Sequence, residues 1–175
     1  MCPVSTQLRT ARLLLRPTQP QDAERALAIL TNWNVARNLR LVPYPIDGKA
    51  NEAWFAGHGA QWVEGSAYRF AIIFDDTVIG FTDIDEICDG SGSLGYWLDE
   101  KYWGQGFAKE AAFELIRLGF EDLELRQLRS GHASDNVASG KILAALGFKY
   151  LETATIPSLS RKIDIEQRRY LLQLA

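Results

Sequence analysis

Between residues 68 and 118 the chain changes its hydrophobic period once, and the change falls on a pair of glycines. The segments YRFAIIF (68–74), VIGFTDIDEI (78–87) and LGYWL (94–98) have strand length and pattern, and only Asp75–Asp76 and the run DGSGS separate them. Connections this short join antiparallel neighbours, so the three segments predict a meander. Directly after it, YWGQGFAKEAA (102–112) passes into a helical pattern in which Phe107, Ala111, Leu115 and Leu118 share a side.

The flanking sequence fits a mixed sheet. RLLLR (12–16) and the preceding LRT (8–10) predict a first strand ended by Pro17. A helix over 20–31 follows, with Thr18 as its cap, Pro20 in its first turn, Gln21 at the reciprocal capping position, and Ala23, Leu27 and Leu30 on one face. Residues 32–48, with Asn34, Pro43 and Pro45, predict a loop with at most one helical turn, and 49–64 a second helix weakened by Gly57 and Gly59. Downstream of the glycine turn, 127–132 predicts a strand, 136–146 a helix stopped by Gly147, and 148–152 and 169–174 two final strands. This order predicts one α+β domain over residues 1–175, with a mixed, mostly antiparallel sheet of about six to seven strands and four helices on its two faces.

Composition narrows the function. The 175 residues are 47% hydrophobic and 23% charged, ordinary for a globular protein, and the formal charge of −3 gives no basic footprint for nucleic acid. Arg9, Arg12 and Arg16, and again Arg161, Lys162, Arg168 and Arg169, are interleaved with apolar residues, which reads as solvated strand faces. No apolar run approaches the roughly 20 residues that span a bilayer, and MCPVSTQLRTARLLLRP lacks an apolar stretch behind a basic start, so a cytoplasmic protein without membrane contact is expected. Two cysteines (Cys2, Cys88) and two histidines (His58, His132) give neither a disulfide framework nor a metal-ligand cluster.

Two helix starts carry the chemistry. Gly104 and Gly106 remove side chains where the backbone turns into a helix, and the first N–H groups of a helix lack acceptors and carry the positive end of its dipole. A phosphate group fits such a turn; so does a plain turn whose Trp103 and Phe107 pack into the core. A dinucleotide fingerprint is a poorer match, since its third glycine would fall at Lys109, and no Gly-Lys-Ser/Thr follows for a Walker loop. In HASDNVASGKILAALGF (132–148), Asn136 is a helix cap, and the Ser139 hydroxyl either bonds the first turn or points across the open end of the sheet. Two helix starts at the same end of neighbouring parallel strands splay them into a V-shaped cleft.

RLLLRP, VIGF, LGYWLDEKYWGQGFAKEA and DNVASGKILAALGF, in that order, resemble the GNAT superfamily of N-acetyltransferases and, within it, the RimJ/RimL-type branch that includes ribosomal-protein N-terminal acetyltransferases. The resemblance covers about residues 8–174 and implies the acyl-CoA N-acyltransferase fold, with acetyl-CoA as cosubstrate and no metal. In that family a Gln or Arg, two residues, Gly, one residue, and Gly or Ala form the signature; here Trp103, Gly104, Gln105, Gly106, Phe107 and Ala108 occupy it, Trp103 being a departure. By the same resemblance, N–H groups from Gln105 to Lys109 bind the pyrophosphate. Tyr96, Trp97 and Leu98 pair with the pantetheine arm like an added strand, and Asn136 contacts that arm. Ser139 lies near the sulfur as the candidate general acid.

The implied reaction is direct acetyl transfer to a primary amine, either a protein N-terminal α-amine or a small molecule. Developing oxyanion charge would meet a fixed N–H near Leu98, at a bulge in LGYWL. A covalent acetyl-enzyme is not expected, because neither cysteine is placed beside a base. Candidates for the base are Asp83, Asp85, Glu86, His132 or a water chain; Asp83 and Asp85 share a strand face, where paired carboxylates are usually solvated. Related sequences frequently carry Glu just before LGYW, where this chain has Ser93. That departure favours the alternative, a non-catalytic acyl-CoA-binding or sensing domain. The acceptor pocket is expected from the first two helices, residues 41–47 and a C-terminal loop over 157–164, with Trp33, Tyr44, Trp54 and Trp62 giving it aromatic character. The resemblance leaves room for a homodimer.

Overall fold

The computed structural model describes residues 7–174. Its strands are β1 (Leu8–Arg9), β2 (Leu14–Pro17), β3 (Tyr68–Phe74), β4 (Thr77–Cys88), β5 (Ser91–Leu98), β6 (Gln127–Ala133), β7 (Lys149–Ser158) and β8 (Ile163–Gln173). Its helices are α1 (Asp22–Leu30), α2 (Trp33–Ala36), α3 (Gly48–Glu64), α4 (Phe107–Arg117) and α5 (Val137–Ala145). A 3-10 turn at Glu100–Tyr102 precedes α4, and a π turn at Leu118–Asp122 follows it.

All strands form one sheet in the order β1-β2-β3-β4-β5-β6-β8-β7, and every neighbouring pair is antiparallel except β5 and β6. The meander appears as β3-β4-β5, with Asp75 and Asp76 at positive φ in its first turn. One face packs Phe70, Ile72, Ile84, Leu94, Leu98 and Leu128 against Phe107, Ala111, Leu115 and Leu118, with Leu143 of α5 in the same cluster. The other packs Ala71 and Phe81 against Ala23, Ala26, Ile29 and Leu30 of α1 and Phe55 of α3. Each fully buried Leu, Ile or Phe contributes roughly 1.5–3 kcal/mol, so the alternating strands are committed to their register from both sides.

The predicted architecture needs three corrections. There are eight strands and five helices among the described residues, because residues 8–9 form a separate β1 that pairs antiparallel with β2, and the single turn allowed within 32–48 forms α2. The expected loop over 157–164 is the end of a long β7-β8 hairpin, paired to Ser158–Ile163. Most of β7 is exposed, so no buried face marked it in the sequence. Thr18 does not cap α1: its hydroxyl lies 2.8 Å from His58 Nδ1, while the Asp22 carboxylate accepts from Gln19 N–H and from Arg16 at the head of the helix. Cys2 lies outside the described residues, and Cys88 is exposed.

Candidate active site

The site is built on a sheet that comes apart. β5 and β6 pair for three rungs, Ser91–Gln127, Gly92–Leu128 and Ser93–Arg129, and then separate. Asp99 N–H donates to Ile79 O, so odd residues of β5 turn their backbone polar groups to β4 and even residues turn theirs away, toward the gap. Two carbonyls on the gap side are already occupied: Leu94 O accepts from Ser130 Oγ at 2.9 Å and Leu98 O from Trp103 Nε1 at 3.0 Å. What faces the gap is the Tyr96 N–H and C=O and the Leu98 N–H, the edge an extended ligand requires. The Trp97 backbone faces β4 instead, and its ring packs at a tilt on Phe81 with centroids 4.7 Å apart. The expected bulge in LGYWL is absent: β4-β5 register is unbroken from Gly80–Leu98 to Asp85–Ser93, and the irregularity lies between Asp85 and Cys88.

At the open end, Gly104 and Gly106 both adopt left-handed backbone, with φ of 73° and 83°, which lets the chain turn sharply into α4. Gly106 is the N-cap and supplies no side chain to the free N–H groups of the first turn, while Phe107 beneath is buried. Gly104 is surrounded by open space. Three braces hold the turn. Arg25 pairs with Asp99 at 2.6 Å, and Asn32 and Asn34 both donate to Glu100. From β2's approach, Arg12 donates to Gln105 O at 3.1 Å, pairs with Glu110 at 2.7 Å and lies over the Phe107 ring. Glu110 Oε1 also accepts from Thr10 Oγ1 and Arg12 N–H, and these contacts, outweighing its burial, hold its carboxyl below the usual range. An open depression of about 420 Å³ beside this turn is lined by Thr10, Ala11, Gly106, Lys109, Glu110, Phe113 and Glu114.

The second helix start completes the cleft. Asn136 Oδ1 accepts from Ser139 N–H at 3.3 Å, a cap, and the Ser139 hydroxyl points across the gap to Tyr96 Oη at 2.9 Å. Burial pushes the Tyr96 phenol up to about 12, so it remains a neutral donor. Asp135 is gripped by both nitrogens of Arg161 at 2.8 and 2.9 Å and by Arg37 at 2.7 Å, tying α5's start to α2 and the β7-β8 turn. Of the arginines expected on strand faces, Arg16 and Arg169 lie in strands and Arg12 and Arg161 in turns, and all four pair with carboxylates.

The candidate bases separate by position. Asp83 and Asp85 share the α1–α3 side of β4 and both pair with Arg69, at 2.8 and 3.2 Å. Burial first, and then the Asp85 charge, push the Asp83 carboxyl up to about 6, against the pull of Arg69. Glu86 is exposed and lies 3.7 Å from Arg129. His132 is buried on the opposite side, 2.7 Å from Ala133 O and 3.2 Å from Tyr170 Oη, which removes it from the acceptor side. Of the expected pocket aromatics, Trp33 packs at a tilt on Tyr44 and is part exposed, Trp54 lies beside Arg69, and Trp62 packs on Tyr68 and Phe70 in the core.

Sequence reasoning missed Arg12, Glu110, Asp135, Arg37 and Arg161. The signal available was the TxR spacing of Thr10 and Arg12, but nothing local pairs it with Glu110, a hundred residues away.

A parted sheet between two helix starts is the layout in which an extended, phosphate-bearing ligand can lie. An acetyltransferase (GNAT) domain matches residues 12–149. An uncharacterized N-acetyltransferase p20 of Bacillus licheniformis is 31% identical over 147 residues, 81% of this chain and 82% of its own. The [ribosomal protein uS5]-alanine N-acetyltransferase of Escherichia coli is 27% identical over 155 residues, covering 82% and 78%. Among solved structures, RimL, a ribosomal L7/L12 alpha-N-protein acetyltransferase in complex with coenzyme A, superposes with a TM-score of 0.85 at 17% identity, over 98% and 97% of the chains. The chain belongs to the GNAT acetyltransferase family, and its relatives include RimJ/RimL-type enzymes.

Proposed function

We propose that this protein, as one domain, transfers the acetyl group of acetyl-CoA directly to a primary amine, either a protein N-terminal α-amine or a small-molecule amine. The observation that carries this is the three-rung β5-β6 pairing, which leaves a strand edge free between the starts of α4 and α5. The N–H groups from Gln105 to Lys109 hold the pyrophosphate, the Tyr96 and Leu98 backbone aligns the pantetheine arm, and Asn136 lies beside it. Acetyl-CoA supplies the activated thioester.

The Leu98 N–H stabilises charge developing on the thioester oxygen. It is fixed before the reaction, since the unbroken β4-β5 register and the Trp103 bond to Leu98 O leave it no freedom to turn. Ser139, hydrogen-bonded to a phenol that stays protonated, returns a proton to the departing thiolate. An α-amine with a pKa of about 8 is partly neutral near pH 7, so one modest base suffices. Among the described residues no helix is long and apolar enough to cross a membrane.

Thiol release from acetyl-CoA with N-terminal peptides and small primary amines tests the proposal. Turnover with one acceptor class is expected. Tight CoA binding with no turnover on any amine would leave a binding domain instead.

A further inference from the structure

The first turn of α5 carries Ser139 but buries little of its own. Leu143, further along, is the one buried residue of the helix. The Ser139 hydroxyl must nevertheless stay within reach of Tyr96 across the gap, where the two oxygens lie 2.9 Å apart. Beneath that turn are two rings, His132 on β6 and Tyr170 on β8. Tyr170 opposes Ser130, two residues before His132, so both rings stand on the α5 side of the sheet.

The imidazole is fixed in orientation and in tautomer. Nδ1 lies 2.7 Å from Ala133 O, and a carbonyl only accepts, so Nδ1 carries the proton. Nε2 is then a lone pair, and the Tyr170 hydroxyl donates to it at 3.2 Å. The rings stack with centroids 5.4 Å apart and planes 27° from parallel, and both side chains are buried.

Gly140, the residue after Ser139, rests on this pair. A Cβ there would lie 2.8 Å from His132 Nε2, 3.1 Å from its Cε1 and 3.6 Å from Tyr170 Oη. Nothing in the backbone asks for glycine, since residue 140 lies inside α5 and outside the left-handed region. Glycine weakens a helix interior relative to alanine, so the close approach is what accounts for it. Relieving a 2.8 Å contact to an ordinary 3.4 Å takes a shift of about 0.6 Å. The Ser139–Tyr96 hydrogen bond is lost at about 3.6 Å, so a shift of that size uses nearly all of its margin.

We propose that His132 and Tyr170 form the seat that sets where α5 places Ser139, with Gly140 as the point of contact. They are positioning residues for the proton donor of the transfer. This inference rests on the acetyltransferase reading above and on Ser139 as the acid. As the C–S bond breaks, its electron pair stays on sulfur and Ser139 Oγ gives that thiolate its proton. The proton released by the attacking nitrogen returns to Oγ through solvent. His132 and Tyr170 move no proton in this; they act through the place of Oγ.

The test is a mutant cycle read as kcat at saturating acetyl-CoA and amine, with CoA affinity by calorimetry and an unfolding midpoint for every variant. Gly140→Ala is expected to lower kcat roughly tenfold while CoA affinity stays within about threefold. Adding His132→Ala, which removes the ring that the new methyl strikes, is expected to return most of that rate. In a Ser139→Ala background, Gly140→Ala is expected to cost less than about twofold more, because the hydroxyl it displaces is already gone. Tyr170→Phe keeps the ring and removes the donor to Nε2, and is expected to lower kcat several-fold with the same dependence on Ser139. Should Gly140→Ala not fold, Tyr170→Phe decides. Full activity in the variant that decides, or an equal loss with and without the Ser139 hydroxyl, would overturn the seat while leaving the enzyme intact. Ser139→Ala at full rate would overturn the acid and the seat together. A wild type that binds CoA but acetylates nothing would overturn the enzymatic reading itself.

Discussion

Tyr96 on β5 and Ser139 on α5 meet hydroxyl to hydroxyl at 2.9 Å across the gap where the sheet has parted. Tyr96 Oη also lies 3.3 Å from Ser139 O, so the phenol reaches two atoms of the helix's first turn. If this pair supplies the proton to the thiolate, Tyr96→Phe should lower kcat roughly ten- to a hundredfold and Ser139→Ala at least as much. CoA affinity should stay within about threefold in both, since neither hydroxyl is the backbone edge that holds the ligand. Steady-state kinetics beside calorimetry separate the two effects.

Gly106 tests the phosphate site. At φ of 83° any side chain is strained by roughly 1–2 kcal/mol, and its Cβ would stand 3.4 Å from Arg12 Nη2. Gly106→Val should therefore weaken CoA binding more than tenfold while the fold survives. Calorimetry against CoA, with circular dichroism as the control, reads both.

The Arg12–Glu110 pair should act on cosubstrate binding rather than on chemistry. Arg12→Ala removes the donor to Gln105 O and the cation over Phe107, so the KM for acetyl-CoA should rise several-fold with kcat within about twofold. Glu110→Ala leaves Thr10 and Arg12 without their shared acceptor, and a loss of about 1–3 kcal/mol in urea unfolding is expected.

His58 should make the protein acid-sensitive. Burial, reinforced by the Arg69 charge, lowers the imidazole to about 4, and its Nε2 has no partner. An unfolded histidine takes up a proton near 6.5 while the folded one does not, so stability falls as pH drops from about 6.5 to 4. The full effect is on the order of 3 kcal/mol. Asp83 runs the other way, its raised carboxyl contributing most at low pH and losing that contribution as pH climbs toward 6. Unfolding midpoints of wild type and His58→Phe across pH 4–7 isolate the histidine, because Asp83 is common to both.

The sequence carried what repeats locally. The alternation of each strand in 68–98, the glycine turn and the Asn136 cap are each contained within a dozen residues, and each is legible. Gly80 in VIGF shows where legibility ends: a Cβ there would strike Trp97 O at 2.3 Å, a contact that exists only once β4 meets β5. Asp83 was one acidic residue among several until its partner strand placed Gly95 beneath it. Nothing local marks Asp135, on which Arg37 and Arg161 converge from 98 and 26 positions away. Pairings at such separations leave no periodic trace, and the exposed β7 leaves little even as a strand.

The three rungs shared by β5 and β6 have a mechanical consequence. They make the sheet two antiparallel slabs, β1 to β5 and β6 to β8, with a short seam as the direct backbone tie between them. A molecule lying in the gap touches both slabs, so it stiffens the seam as well as occupying it. Stability should then climb with ligand concentration, by about 2.7 kcal/mol at a hundred times the Kd. Amide exchange at Leu94 and Arg129 should slow before exchange does in the outer strands, as the two slabs become a single plate.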